Sequence, residues 1–148
     1  MIGYRGVSDA TIEYIRHLNL RKLSVYDANI SDSSMEIIGT IKSLTNLAFP
    51  NCRIGDKGIE YITALDQLSE IRLESTLISD ASLHHLNEIK SLRSIELFST
   101  NISDEGLSNL RNLPNLKHLG IQHTKVTKKG IEAFKERFPS VSVVHNLH

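Results

Sequence analysis

The amino-acid sequence predicts an α/β solenoid in which six strand–helix units stack side by side around a shared core. Three observations lead to this fold class. A short motif of the type Ile-Ser-Asp recurs every 24 residues. Each unit joins a segment of alternating apolar residues to a segment with apolar residues three positions apart. The core must be largely aliphatic, because aromatic residues make up 5% of the chain and tryptophan is absent.

The recurring motif sets the boundaries of the units. It lies, with small changes, at 30–32, 54–56, 78–80 and 102–104, and weaker versions lie at 7–9 and 126–128. The units therefore start near residues 7, 30, 54, 78, 102 and 126, and we expect one domain over residues 1–148. Ile2 matches a strand position of a preceding unit, which suits both a terminal unit and a piece of a longer repeat array.

The second half of each unit is predicted to contain a short strand. Ile71 and Leu73 alternate with polar neighbours, which is typical of a strand with one buried face. In the last unit we assign the buried pair to Val141 and Val143, two residues earlier than the 24-residue period requires. The predicted strands are 22–26, 46–50, 70–74, 94–98, 118–122 and 141–144.

The other half of each unit is predicted to be a short helix. Ile59, Ile62 and Leu65 are three residues apart, which indicates one apolar helix face. A Ser or Thr before most of the acidic residues is a natural N-cap, and the acid then lies in the positive first turn. Lys128 replaces the acid in the last unit, so we expect that helix to start less stably.

Strands and helices that alternate in register give parallel strands joined by right-handed crossovers. Neighbouring strands are about 4.8 Å apart, whereas helices are roughly 10 Å wide. We therefore expect the parallel sheet on the concave face and the short helices on the convex face. A column of small residues follows the strands, and we expect its hydroxyl groups to bond the turning backbone and its thiol to be buried and slow to react. This column contains Ala28, Cys52, Thr76, Thr100 and Thr124.

The repeated pattern, L-x-x-L-x-L-x-x-T-x-I-S-D-x-G-L, resembles the leucine-rich repeat family from residue 7 to about residue 144. The units are similar to those of bacterial internal repeat proteins and to the cysteine-type repeats of F-box adaptors. The small Gly of the pattern, present at Gly106, is replaced at Ser34 and Ser82. These replacements are departures from the family pattern.

The composition excludes several classes of function. Lys and Arg total 17 and so do Asp and Glu, so no bulk charge holds the chain on nucleic acid or on a membrane. One cysteine allows neither an internal disulfide nor a cysteine-based metal cluster. With no apolar run of about 20 residues, we expect no membrane span. We expect a cytoplasmic protein without a cofactor, whose open sheet edges would permit end-to-end association.

The concave face is the predicted functional surface, because repeat solenoids bind partners along it. Glu70, Glu74 and Glu96 surround Arg72 there, and their acidic excess suits a protein or peptide partner with a basic segment. In the alternative interpretation, Arg72 is neutralised by its neighbours and the cluster is a solvated ion-pair network. Exposed aromatic side chains add affinity at interfaces. The predicted partner-binding residues are Tyr26, Glu70, Arg72, Glu74, Glu96, Phe98 and Gln122.

No catalytic constellation or phosphate-binding loop stands out, so the sequence predicts a non-enzymatic interaction module. His84 and His85 lie on a predicted helix and should be solvated. His123 and His145 fall in one repeat column by our assignment, about 5 Å apart, but lack a third metal ligand. Two alternatives stay open. One is a spacer within a longer repeat protein, and the other is a metal-binding or enzymatic protein that uses the histidines near residue 148.

Overall fold

The computed structural model describes residues 7–146, and these form one parallel sheet with a layer of short helices against it. The six strands of this part of the chain lie in sequence order, and each pairs with the next one in parallel. The predicted α/β solenoid with a parallel sheet is confirmed. The strand position predicted for Ile2 lies outside the described residues. The strands are β1 (Lys22–Ser24), β2 (Asn46–Ala48), β3 (Glu70–Arg72), β4 (Ser94–Glu96), β5 (His118–Gly120) and β6 (Ser142–Val144).

The first five strands begin at the predicted residues but are three residues long rather than five. Backbone pairing nevertheless continues past them. The Val25 amide donates to the Ala48 carbonyl (2.9 Å), and the Asp27 amide donates to the Pro50 carbonyl (3.1 Å). After each of the first five strands the chain turns at a non-glycine residue with a positive φ, a left-handed conformation that breaks the extended backbone. These turning residues are Asp27, Asn51, Ser75, Ser99 and His123, with φ of 51°, 57°, 54°, 54° and 54°.

The predicted early entry into the last strand is wrong. In β6, Ser142 pairs with His118 and Val143 pairs with Leu119, so the 24-residue register is kept. The Ser142 amide donates to the Lys117 carbonyl at 2.9 Å, as equivalent residues do in earlier units. A shift of two residues leaves every side chain on the same face of a strand, so the apolar pattern cannot distinguish the two registers.

The helices begin directly after the predicted cap positions, and each cap residue has an extended backbone. No helix within residues 7–146 is long and apolar enough to cross a bilayer. The helix that begins at Lys128 is the longest of those described, at 10 residues. The lower stability expected of its first turn stays a prediction. The helices are α1 (Asp9–Ile12, followed by a 3-10 helix at Glu13–Ile15), α2 (Asp32–Ile38), α3 (Asp56–Tyr61), α4 (Asp80–Leu86), α5 (Asp104–Asn109) and α6 (Lys128–Arg137).

The aspartate at the start of each of the first five helices binds the cap residue of the next unit, and we call this series the aspartate ladder. In its most extensive contact, Asp56 accepts from the Ser79 amide (2.8 Å) and hydroxyl (2.6 Å). It also accepts from the amide (3.1 Å) and the hydroxyl of Ser82. The ladder consists of Asp9, Asp32, Asp56, Asp80 and Asp104, which accept from the amides of Ser31 (2.8 Å), Gly55 (2.7 Å), Ser79 (2.8 Å), Ser103 (2.7 Å) and Thr127 (2.8 Å).

The serines that depart from the family pattern have a role in this ladder. Ser34 and Ser82 are fully buried, and their hydroxyls donate to Asp9 and Asp56 of the preceding unit. At Gly106 the same space is closed, since an added Cβ would lie 2.3 Å from Asp80 Oδ1. At this position, therefore, a serine binds the carboxylate of the previous unit through its hydroxyl group, whereas a glycine leaves space for the carboxylate.

The core lies between the sheet and the helices and is mostly aliphatic, with Phe49 and Phe134 as its fully buried aromatic side chains. The small-residue column behaves as predicted. The Thr76 hydroxyl donates to the Leu73 carbonyl at 2.7 Å, and the Thr100 hydroxyl donates to the Leu97 carbonyl at 2.6 Å. These bonds satisfy backbone groups that would otherwise be buried without a partner.

Cys52 occupies the same column and is 3% exposed, which confirms its predicted burial. Its Sγ lies 3.6 Å from the Val25 carbonyl oxygen, and burial raises the pKa of the thiol. Because the thiolate is the reactive form, a thiol reagent should label Cys52 slowly in the native protein and rapidly after denaturant is added. Fast stoichiometric labelling under native conditions, followed by mass spectrometry, would contradict this expectation.

Candidate functional site

The outward side chains of the strands form columns across the sheet, and we call this surface the sheet face. It corresponds to the predicted concave surface, and its register is as predicted. The entry column contains Lys22, Asn46, Glu70, Ser94, His118 and Ser142, and the middle column contains Ser24, Ala48, Arg72, Glu96, Gly120 and Val144. The exit column, two residues further along, contains Tyr26, Pro50, Glu74, Phe98 and Gln122.

Arg72 forms an ion pair with Glu74 on the sheet face. Its Nε and Nη2 both donate to Glu74 Oε1, at 2.9 and 2.8 Å. The hydrogen bond that Arg72 donates to Glu74, and then the charge of Glu74, raise the pKa of Arg72. The Arg72 side chain is 50% exposed and that of Glu74 is 13% exposed. The second carboxylate oxygen of Glu74, Oε2, is buried and has no hydrogen-bond partner among residues 7–146.

The other two carboxylates are bound by groups that carry no formal charge when histidine is neutral. Glu70 Oε2 accepts from Asn46 Nδ2 at 2.6 Å, and Glu96 Oε1 lies 2.6 Å from His118 Nε2. The cluster is therefore only partly an ion-pair network. Three carboxylates face one guanidinium, which leaves an excess of two negative charges.

Gly120 allows Glu96 to reach His118. An added Cβ at Gly120 would lie 1.7 Å from Glu96 Oε2, so the carboxylate occupies the space in which a side chain would stand. Sequence reasoning placed Gly120 in the outward register but missed this contact. A glycine inside a strand often marks a close approach by another group, and that signal could have found it.

Phe98 is the exposed aromatic side chain next to the acidic cluster, with 37% of its surface exposed. Its ring packs edge-on against His123, with centroids 5.2 Å apart. Glu74 and Gln122 are its neighbours in the exit column. Gln122 Oε1, like Glu74 Oε2, is buried without a hydrogen-bond partner in the part of the chain that the structure describes. Tyr26 is half-buried and lies two units away from Glu74, about 10 Å along the column.

The structure does not put His123 and His145 in one column. Val143 pairs with Leu119, so two residues further on His145 is in line with Ile121 rather than with His123. The amide of His123 instead bonds Asn146 Oδ1 at 3.1 Å. Within residues 7–146 no group of three or more His, Cys, Asp and Glu side chains could hold a metal ion. His84 and His85 lie on α4, with ring centroids 5.9 Å apart, and His84 is exposed.

An open parallel sheet on one side, short helices on the other and a 24-residue period together define an α/β repeat solenoid. Residues 88–110 and 112–135 match the family model described as leucine-rich repeat. Two segments of the chain therefore match leucine-rich repeats, and the fold is that of a leucine-rich repeat solenoid, which confirms the resemblance. A comparison with curated protein sequences gives no match.

Three solved structures illustrate the likeness. An internalin of Listeria monocytogenes is 17% identical over 87% of this chain, with a TM-score of 0.58, and internalin C2 of the same organism is 16% identical over 92%, with a TM-score of 0.59. A leucine-rich repeat protein of Leptospira interrogans is 19% identical over 87%, with a TM-score of 0.56. The present chain spans 42%, 74% and 38% of these proteins, respectively. At such identities the likeness concerns the fold.

Proposed function

We propose that this protein is a non-enzymatic interaction module that binds a protein or peptide across the sheet face. The observation that carries the proposal is a cluster of three carboxylates and one guanidinium on the same face as the exposed ring of Phe98. A partner segment that combines basic and apolar side chains would complement both features. Charge complementarity of this kind speeds association, whereas buried aromatic contacts slow release.

The two unpartnered acceptors next to Phe98 support the same kind of partner. Glu74 Oε2 and Gln122 Oε1 lie on opposite sides of Phe98 in the exit column. A buried polar group without a hydrogen bond costs roughly 1–3 kcal/mol. A partner that displaces Phe98 slightly and supplies N–H donors, as arginine or lysine does, would recover part of this cost.

We also propose a cytoplasmic location, which suits a chain whose single cysteine is a buried free thiol. The alternative of an inert spacer within a longer repeat protein differs from the interaction module in one measurable respect. A spacer has no reason to prefer basic peptides, and its sheet-face variants would behave like the parent protein.

The test uses two synthetic peptide pools of twelve residues, one with Arg and Leu at half of the positions and one with Glu in place of Arg. Because only the first pool complements the carboxylates and Phe98, we expect it to bind more tightly in fluorescence polarisation. Phe98→Ala should weaken its binding about tenfold at all salt concentrations. Glu70→Gln with Glu96→Gln keeps the shape of both side chains and should weaken binding most at low salt.

The matched control is His84→Ala on α4, which should bind the basic pool like the parent protein. Loss of binding in this control, with the sheet-face variants unaffected, would assign the interface to the helix side. Equal binding of both pools by the parent protein and by every variant would support the spacer instead. Circular dichroism of each variant separates lost binding from lost folding.

A further inference from the structure

A polar groove of about 410 Å³ lies where the chain enters the strands, at the opposite end of the strands from Glu74 and Phe98. We call it the strand-entry groove. It crosses the first four strands, because residues that immediately precede β1, β2, β3 and β4 contribute to its wall. The groove lining includes Arg21, Thr45, Ser69, Ser91, Arg93 and Asn115.

Two arginines give this groove its charge. The side chains of Arg21 and Arg93 are exposed, and neither guanidinium has a hydrogen-bond or ion-pair partner among residues 7–146. No carboxylate is among the described residues that line the groove. Arg72 on the sheet face, in contrast, is bound to Glu74. The strand-entry groove is therefore a positive region whose charge the protein itself leaves uncompensated.

The hydroxyl groups between the two arginines are already committed to the backbone. Thr45 Oγ1 donates to the Arg21 carbonyl (3.0 Å), Ser69 Oγ donates to the Thr45 carbonyl (3.1 Å), and Ser91 Oγ donates to the Leu68 carbonyl (2.7 Å). These bonds tie the residues of one unit to those of the unit before it, so the floor of the groove is formed in advance. The strong donors left for a ligand are the two guanidinium groups.

We propose that the strand-entry groove binds an extended acidic peptide segment whose carboxylates are four residues apart. Arg21 and Arg93 belong to units separated by three strand spacings, about 14 Å. An extended peptide advances about 3.3 Å per residue, so side chains at positions i and i+4 are about 13 Å apart. Guanidinium groups bind carboxylates through paired hydrogen bonds, which favours Asp or Glu at those two positions.

This groove is separate from the surface proposed for the basic and apolar segment. The two regions lie at opposite ends of the strands and carry opposite charge. A partner that used both would have to lie in one orientation, with its acidic part at the strand entries and its basic part near Phe98. Binding of an acidic peptide alone does not depend on the carboxylates or on Phe98, so either proposal can fail without the other.

The experiment measures labelled ten-residue peptides by fluorescence polarisation at 50 mM salt. Each peptide has two Glu residues in a Gly and Ser background, either four residues apart or adjacent, and a third peptide has Lys in place of Glu. We expect the four-residue spacing to bind at least fivefold more tightly than adjacent Glu, and the Lys peptide not to compete. Arg21→Gln with Arg93→Gln should reduce the affinity at least tenfold.

The charge-matched control is Lys129→Gln with Lys135→Gln, which removes two positive charges from α6, and Phe98→Ala is a second control. Both should bind the acidic peptide like the parent protein. An equal loss in the α6 control, or equal affinity for the two Glu spacings, would overturn the proposal. A ten-nucleotide single-stranded DNA that binds more tightly than the peptide, and depends on the same two arginines, would assign the groove to nucleic acid instead.

Discussion

Replacing Asp56 by alanine should lower the free energy of unfolding by about 2–4 kcal/mol, because four donors of the next unit lose a carboxylate acceptor and only the Ser82 amide keeps another, the Ser79 carbonyl. These donors are the amides and hydroxyls of Ser79 and Ser82, and Ser82 is fully buried. Because the Ser82 side chain is buried, water cannot take the place of the lost carboxylate. Urea denaturation monitored by circular dichroism measures the loss.

Asp32→Ala is the matched control, since Asp32 also opens a helix but accepts from the next unit only through the Gly55 amide at 2.7 Å. Both substitutions remove a negative charge from a first helical turn, so that effect cancels in the comparison. We expect Asp32→Ala to cost about 1 kcal/mol. Equal losses in the two variants would mean that the aspartates act on their own helix rather than on the next unit.

The contribution of Asp56 should also depend on pH. Burial raises the pKa of its carboxyl group, but the hydrogen bonds from Ser79 and Ser82 outweigh burial and leave the pKa below the ordinary value of 3.8. The folded protein therefore favours the ionised form. The stabilisation is fully present above the pKa of the unfolded chain and is lost as the pH falls through the lower pKa of the folded protein. The difference between the parent protein and Asp56→Ala should shrink below about pH 4.

Gly106→Leu should destabilise the protein by about 3 kcal/mol, through overpacking and disruption of the aspartate ladder. A Cβ at this position would lie 2.3 Å from Asp80 Oδ1 and 3.2 Å from the Asp80 Cα, so both the side chain and the backbone of α4 are in the way. Asp80 could then no longer hold the amide and hydroxyl of Ser103 at 2.7 and 2.5 Å. Thermal and urea unfolding would measure the effect.

Gly106→Ser is the informative control for this substitution. Ser34 and Ser82 occupy the equivalent position in other units and donate their hydroxyls to the aspartate that an alkyl side chain would displace. Gly106→Ser should therefore stay within about 1 kcal/mol of the parent protein. A serine variant as unstable as the leucine variant would show that α4 and α5 approach more closely than α1 and α2 or α3 and α4.

The sequence predicts the repeated elements of this fold well, because each of them is determined by residues within one unit. The alternation of Ile71 and Leu73 locates a strand, and the period carries that assignment to the other units. The same alternation assigns Glu70, Arg72 and Glu74 to the sheet face. Backbone pairing that continues as far as Asp27 explains why the predicted strands were longer than the observed ones.

Side-chain contacts between units, unlike the pairing of the strands, could not be predicted from the sequence. The sequence relates Asp56 to the dipole of its own helix, but its hydrogen-bond partners Ser79 and Ser82 lie 23 and 26 residues further along the chain. Gly120 signals a close approach by another group, but the identity of that group, Glu96 in contact with His118, depends on a side-chain conformation that no spacing reveals. The misplacement of His145 has a different cause. An apolar pattern with a period of two residues looks the same after a register shift of two residues.

The order in which the elements pack also bears on how the chain folds. Strands pair with their sequence neighbours, and helices pack on the helices before and after them. A paired contact such as that of Asn46 with Glu70 closes a loop of 24 residues, and the same loop length recurs from unit to unit. The entropy of closing a loop changes only slowly with its length, so no unit is much harder to add than another. Folding can therefore nucleate at any adjacent pair of units and grow outwards in both directions, one unit at a time.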